Sequence, residues 1–408
     1  MVLHIHGMST NLDTTISAQY NEPVFTTDRP DIAANNPEHL LSALTRLQAS
    51  GINTWRIMRD YARLATGPGK ISPADFLTLR LFDEDLWGAE DKKTIVGRRC
   101  NRDICYSLNY RTDWLAVPEN KVLSWSYLKT YGFPVIPMGA IYAPQLQHGA
   151  PFILRTRTML ETFLLDADTY PLFGKPVESL NSLGSIALEK PLPQTHEVQT
   201  SDGRNIAVAR LALEIAEHYE SGYIFQRRIS PEAGIKKVCG DRLATVRFLT
   251  VRYGSEIAIL GAVWKLPSGA NVADNYWRAG NLLAQLHQET GAVERVTSGA
   301  GLDMQEHIEH PDTQTALLGF VHPQWGAMKA LALEGARLMR EVAIIGWDIA
   351  CSDSGPVIVE MNENPDFFLM QFASCRGILN ASLKKAIEYH ARARKGHETE
   401  MKRRFANY

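Results

Sequence analysis

The segment IIGWDIACSDSGPVIVEMNENPD, residues 344–366, carries the strongest chemical signal in the sequence. Two apolar runs flank Ser352, Asp353, Ser354, Gly355 and Pro356, a composition that asks for a chain reversal, so a β-hairpin is expected. With the turn centred on Ser354, Asp348 and Glu360 lie six residues to either side and face one another. Side chains two apart on a strand share a face, which adds Asn362 to the side of Glu360. Two carboxylates and an amide on a rigid strand pair suit Mg²⁺, a hard ion that takes oxygen donors and keeps positions for water and phosphate oxygens. They suit zinc or copper poorly. The competing reading makes both acids plain exposed residues of a half-solvated hairpin. It fits less well, because both interrupt apolar runs where an unpaired carboxylate is costly to bury.

A second signal is FGKPVESLNSLGSIALE, residues 173–189. Lys175 before a proline at a strand end, followed by a Ser/Asn/Gly loop, can set one point charge and several backbone N–H groups against phosphate oxygens. The sequence has no GxxxxGK[ST] loop, and no GxGxxG follows a strand; GPGKIS at 67–72 lacks the spacing. Any nucleotide is therefore held in another way.

The elements around these residues alternate in type. Residues 1–36 have no sustained period and read as irregular. Leu40, Leu41, Leu44 and Leu47 recur at helical steps and Gly51 can stop that helix, whereas Ser72 with Asp75 three residues on marks another helix start. From about 119 the pattern predicts a helix over 121–131, a strand in GFPVIPMGAIY, a helix over 153–165, and two strands around the Lys175 loop. A helix over 205–220 follows, with Val208, Leu211, Leu213 and Ile215 among its apolar positions. ATVRFLTVRY and SEIAILGAVW then read as neighbouring strands, and 326–342 as an Ala/Leu/Met helix.

Composition bounds the function classes. The chain has 408 residues, 45% hydrophobic and 22% charged, an ordinary globular profile with room for two or three units at about 150 residues each. Lys plus Arg number 43 against 45 Asp plus Glu, so no net field recruits nucleic acid or a membrane surface. Five scattered cysteines, Cys100, Cys105, Cys239, Cys351 and Cys375, make no disulfide framework and fit a reducing cytoplasm. No second Cys/His pair completes a zinc site with Cys100 and Cys105. No apolar run approaches the roughly 18 to 20 residues of a membrane span, and the amino terminus lacks secretory-signal features. Eight Lys/Arg between Lys384 and Arg404 read as a solvated terminal helix rather than a phosphate-binding tail.

The order of motifs then becomes recognisable. Asn120-Lys121, Lys175-Pro-Val, YIFQRRI at 223–229, LATVR at 243–247, GWD at 346–348 and Glu360-Met-Asn362 together resemble the ATP-grasp superfamily. The likeness is greatest to the sugar-transfer-associated ATP-grasp branch, through DNYWRAGN at 274–281, Thr290-Gly291, HPDT at 310–313 and the 344–366 block. It extends over about residues 70–385.

The resemblance implies an α/β protein with α+β subdomains, an ATP-grasp core and an additional amino-terminal region. The expected division is residues 1–118 (amino-terminal region), 119–222 (small lid), 223–390 (large subdomain) and 391–408 (basic tail), with ATP between lid and large subdomain. Lys121 and Lys175 are then implied phosphate contacts, and the loop from Ser179 to Gly184 is implied to close over them, with fewer glycines than many relatives carry. Residues 226–229, with Gln226, Arg227 and Ile229, stand as the hinge whose backbone holds adenine, and Glu232 stands near the ribose. Asp348, Glu360 and Asn362 fall on the metal-ligand positions, in agreement with the hairpin argument.

Strand alternation aims Arg247 to the same side as Thr245, where a guanidinium can clamp a γ-phosphate or be salt-bridged within the sheet. Lys265 is a further electrophilic candidate. Asp274, Asn275 and Arg278 are candidates for substrate contact or loop structure; Ala279 stands where a glycine is expected. His310, before a proline, suits a turn as well as catalysis.

The reaction implied is activation of a small-molecule carboxylate by ATP with Mg²⁺, or Mn²⁺ in its place, giving an acyl phosphate that an amine attacks. Arg247, Lys175 and Lys265 are the catalytic candidates. Two alternatives stand beside it: a phosphotransferase on the same scaffold, and a nucleotide-binding protein without turnover. The partners expected are small molecules, with neither nucleic acid nor membrane, and the sequence sets no oligomeric state.

Overall fold

The structure, a computed structural model, describes Val24, Phe25 and residues 37–49, 53–178 and 183–406. Apart from Val24 and Phe25, the irregular reading of 1–36 falls outside these residues, as does Ser179. The chain forms two compact units, one built from Met1–Arg29 and Ile136–Arg228, the other from Pro30–Val135 and Ile229–Tyr408.

The first unit holds strands β1 (Met138–Tyr142), β2 (Ile153–Leu154), β3 (Leu172–Pro176), β4 (Ile186–Leu192), β5 (Glu197–Thr200), β6 (Asn205–Ala207) and β7 (Tyr223–Arg227). They make one sheet in the order β2-β1-β7-β3-β4-β5-β6, antiparallel except at β1–β2. Helices Arg157–Leu165 and Val208–His218 bury Leu160, Leu164, Leu211 and Ile215 against Ala140, Leu172, Leu188 and Phe225 of this sheet. The helix expected over 205–220 loses its first residues to β6: Ile206 is buried opposite Val198 of β5, so a strand pair rather than a helix turn covers it.

The second unit holds β8 (Thr245–Tyr253), β9 (Glu256–Leu266), β10 (Leu282–Leu286), β11 (Val293–Ser298), β12 (Gln305–Glu306), β13 (Ile344–Ser352) and β14 (Gly355–Asn362). Their order is β12-β11-β10-β9-β8-β13-β14, with antiparallel pairs throughout. The α/β character expected from the sequence is borne out by both units. Helix Trp325–Leu338 packs Met328, Ala332 and Ala336 on one face of the sheet, against Val246, Phe248, Trp264 and Trp347. Helices Arg98–Leu108, Phe367–Ser374 and Ala381–Ala406 cover the other face, where Leu249, Val251, Val263, Leu283 and Ile344 lie.

The units divide at other places than the sequence suggested. Apart from Val24 and Phe25, the described residues before 118 join the second unit: Val96 exchanges two 2.8 Å hydrogen bonds with the buried amide of Gln371. Helix Lys121–Thr130, expected in the lid, buries Leu128 in the second unit's core, and β7, expected in the large subdomain, lies between β1 and β3. The basic tail is no separate segment either, since the Ala381–Ala406 helix is anchored by buried Leu383, Ala386 and His390 and runs on unbroken. No described helix is long and apolar enough to cross a membrane.

Candidate active site

The hairpin forms as the sequence implied, with Asp348 directly opposite Glu360 and Gly346 opposite Asn362. Its turn, however, closes at Ser352↔Gly355, half a residue earlier than a centre on Ser354. A β-bulge restores the pairing: Ile349 faces Ile358 while Asp348 faces Glu360, which leaves Val359 as the extra residue. Arg247 is the partner of Asp348 on the other side, and Thr245 is the partner of Lys265. Strand alternation therefore puts Arg247, Lys265, Asp348, Glu360 and Asn362 on one face, the one that carries Leu249, Val263 and Ile344 further along.

Asp348 is 3% exposed and fully engaged by cations. Arg247 donates Nε to Oδ1 at 2.7 Å and Nη2 to Oδ2 at 2.6 Å, and Lys265 Nζ donates to Oδ2 at 3.0 Å. Burial alone would push this carboxyl up, but the two cations outweigh it and hold Asp348 far below the usual carboxylate range. Arg247 thus takes the salt-bridged of its two expected roles in this structure. Lys265 also lies 3.4 Å from Oδ1 of Asp274, whose Oδ2 accepts from Thr245 N at 2.8 Å and Thr245 Oγ1 at 2.5 Å. Asp274, a substrate candidate by sequence, is a carboxylate dock within the sheet's polar end.

Glu360 is the more open acid. Its side chain is 32% exposed, and Lys121 Nζ approaches Oε1 at 3.4 Å from the start of a helix capped by Asn120. Asn362 Nδ2 donates to Gly346 O at 3.3 Å. Gly346 is required there, because a Cβ would lie 2.9 Å from Cβ of Pro365. Burial pushes the neighbouring Glu363 carboxyl up, and the nearby Glu119 and Glu360 push it the same way.

Two asparagines that sequence reasoning missed hold this segment. Asn109 donates to the carbonyls of Ile344 at 2.9 Å and Glu363 at 2.8 Å and accepts from Ile344 N at 3.0 Å, so one buried amide ties the start of β13 to the chain just past β14. Asn101 donates to Pro365 O at 3.0 Å and accepts from Phe367 N at 2.7 Å. Beside them Asp366 caps the Phe367–Ser374 helix and accepts from Trp277 Nε1 at 2.9 Å.

The remaining expected residues divide by unit. In the first, Lys175 is buried on β3, and Gly184 is pinned by Tyr223, whose hydroxyl donates to Gly184 O at 2.8 Å. Gly184 has φ +72° and no room for a Cβ beside the Tyr219 hydroxyl. Gln226 is buried on β7, and the next amides are taken: Arg227 N donates to Pro137 O and Arg228 N to Pro171 O, both at 3.0 Å. In the second, Ile229 begins the return segment, which is laced to β13 by Glu232 N to Cys351 O at 3.0 Å and Asp353 N to Ser230 O at 3.1 Å. Glu232 caps the Ala233–Cys239 helix, accepting from Gly234 N at 2.6 Å and Ile235 N at 3.3 Å. Asn275 shapes its own loop, accepting from Trp277 N on its side chain and from Arg278 N and Asn281 Nδ2 on its carbonyl. His310 is fully buried and donates from Nε2 to Pro267 O at 3.1 Å, a turn role.

Asp348, Glu360 and Asn362 have the donor chemistry of a hard divalent ion, two opposed carboxylates and an amide oxygen at the next same-face position. Among the described residues no group of three or more His, Cys, Asp and Glu could hold a metal alone. The set therefore suits an ion that takes its other ligands from water and phosphate. Three hydrogen bonds from Arg247 and Lys265 fill three of the four acceptor positions of the Asp348 carboxylate, so an ion at Asp348 competes with both cations for the same two oxygens.

Residues 195–388, just under half of the chain, match the family model described as sugar-transfer associated ATP-grasp. The resemblance carried by the motifs is borne out over that span. No curated protein matches the sequence. Among solved structures, the D-alanine-D-alanine ligase from Coxiella burnetii is 16% identical with a TM-score of 0.38, over 71% of this chain and 62% of that one. The L-amino acid ligase from Bacillus licheniformis is 12% identical with a TM-score of 0.35, over 67% and 48%. D-alanyl-alanine synthetase A from Vibrio cholerae is 10% identical with a TM-score of 0.39, over 68% and 66%. The chain thus spans less than two thirds of these proteins' own lengths.

Proposed function

We propose, from the ATP-grasp pattern over residues 195–388 and the side chains gathered on β13 and β14, that this chain is an ATP- and Mg²⁺-dependent ligase. It joins a small-molecule carboxylate to an amine. The carboxylate attacks the γ-phosphorus of ATP, ADP leaves, and the amine then attacks the acyl phosphate and expels phosphate. The observation that carries this reading is the direct opposition of Asp348 and Glu360, with Asn362 on the same face.

Asp348, Glu360 and Asn362 hold the divalent ion, Mg²⁺ or Mn²⁺, which when bound supplies charge neutralisation on phosphate oxygens. Arg247 offsets charge on the transferring group, with Lys265 as the second cation of the site. Lys121 reaches a phosphate oxygen from the helix start beside Glu360. In the first unit Lys175, and the loop that opens on Ser179 and ends on Gly184, serve the phosphates. The hinge at Gln226, Arg227 and Ile229 serves adenine, and we assign the hydrogen bond to Ile229, since the Arg227 amide already has a partner. Glu232 keeps its capping role, and Asp274, Asn275 and Arg278 shape the wall beside the acceptor.

The test is a pooled screen of carboxylates and amines for acceptor-dependent ADP release, with products identified by mass. Release that needs both co-substrates and yields a condensed product supports ligation. A stable phosphorylated acceptor formed without an amine makes the protein a kinase. ATP binding without ADP release in any pool makes it a non-catalytic nucleotide binder.

A further inference from the structure

Lys265 stands between two carboxylates: Nζ is 3.0 Å from Oδ2 of Asp348 and 3.4 Å from Oδ1 of Asp274. Asp274 is itself fixed, with its other oxygen taken by the backbone and hydroxyl of Thr245, the residue paired with Lys265 across β8 and β9. The Lys265 side chain is 7% exposed and that of Asp348 5%, so neither charge can be left without a counter-ion at low cost. A divalent ion arriving at Asp348 would strand Lys265 if Asp348 were its one counter-ion. Asp274 removes that obstacle.

We propose that Asp348 and Asp274 are the two docks of a counter-ion exchange. Without metal, Arg247 and Lys265 occupy Asp348 in the ion's place. When the ion binds, Lys265 withdraws to Asp274 and remains neutralised there, and Arg247, released from Asp348, turns to the anion the ion brings. Lys265 is then a positioning residue that sets the affinity for the ion, and Asp274 is its second dock. This inference rests on the metal assignment made above and adds how the site is kept closed without metal.

The exchange makes opposite demands on the two residues, which separates it from a merely structural role. The measurement is equilibrium Mn²⁺ binding to the full chain with ADP present as the anion that receives Arg247, read from the electron paramagnetic resonance of free Mn²⁺ against an ADP-only control, with thermal melting to check the fold. Lys265→Met removes the competing cation and is expected to tighten Mn²⁺ binding roughly tenfold. Asp274→Asn removes the second dock and is expected to weaken it several-fold, an effect that vanishes in the Lys265→Met background. Should Lys265→Met not fold, Lys265→Gln carries the same expectation. Weaker or unchanged binding in the Lys265 variant, or no effect of Asp274→Asn, overturns the exchange, and leaves the metal assignment intact as long as Asp348→Asn abolishes binding. Wild-type Mn²⁺ affinity in Asp348→Asn overturns both.

Discussion

The guanidinium of Arg247 meets the carboxylate of Asp348 side-on through two hydrogen bonds of 2.7 and 2.6 Å, from positions that are direct register partners on β8 and β13. Asp348 therefore has a structural task beside the chemical one proposed for it, whereas Glu360, about one-third exposed, has mainly the proposed chemical one. Asp348→Asn leaves the buried Arg247 without its carboxylate and Lys265 with Asp274 alone, and is expected to cost about 3 to 5 kcal/mol of stability. Glu360→Gln is expected to cost less than about 1 kcal/mol. Both should lower ADP release at least a hundredfold, and thermal melts beside the ADP assay separate the two effects.

Asn109 offers a second test, of the hairpin's support rather than its chemistry. Asn109→Ala leaves three backbone groups without this partner, two of them buried and one part-buried, and is expected to destabilise by about 3 kcal/mol, measured by urea unfolding. Asn109→Asp is expected to be worse, since it turns an oxygen toward the carbonyls of Ile344 and Glu363.

Gly346 has no room for a methyl group against Pro365, and Asn362 lies opposite it. Gly346→Ala is expected to cost about 1 to 3 kcal/mol and to push the 362–365 segment outward. Mn²⁺ affinity in the presence of ADP should fall, and an unchanged affinity would show that Asn362 does not ligate.

The pH dependence of folding has a marked contributor in His322. Burial pulls this imidazole down to about 4, and its Nε2 has no hydrogen-bond partner among the described residues. The folded value lies below the unfolded value near 6.5, so the unfolded chain binds the proton more readily. His322 therefore contributes stability that is fully present above pH 6.5 and is lost as pH falls toward 4, a loss on the order of 3 kcal/mol. Chemical unfolding at a series of pH values should show this slope in the wild type and a shallower one in His322→Gln.

Much of the second unit was legible because its signals are local. The hairpin, the β8–β9 pair and the Ser72–Asp75 capping box each rest on residues close together in sequence. The opposition of Asp348 and Glu360 followed from a turn centre that was half a residue late, and Val359 supplies the missing half. A bulge leaves little trace in composition, so that agreement owes something to two departures that cancel. Asn101 and Asn109 left less to read: a buried amide that bridges backbone more than two hundred residues away looks like any polar residue on a helix. Ile206 shows the opposite failure. Its spacing suits a helix, and the competition is decided by β5, which needs an edge partner.

The dependence of β13 and β14 on Asn101 and Asn109 bears on how this protein can be dissected. Both amides precede residue 195, where the family match begins, so the evolutionary segment and the autonomously folding piece are different objects. A truncation cut at that border would carry every side chain of the proposed metal site and yet forfeit the groups that satisfy Ile344, Glu363, Pro365 and Phe367. Such a fragment should come out of expression as insoluble protein, while one that begins ahead of the Thr54–Ala65 helix keeps its solubility.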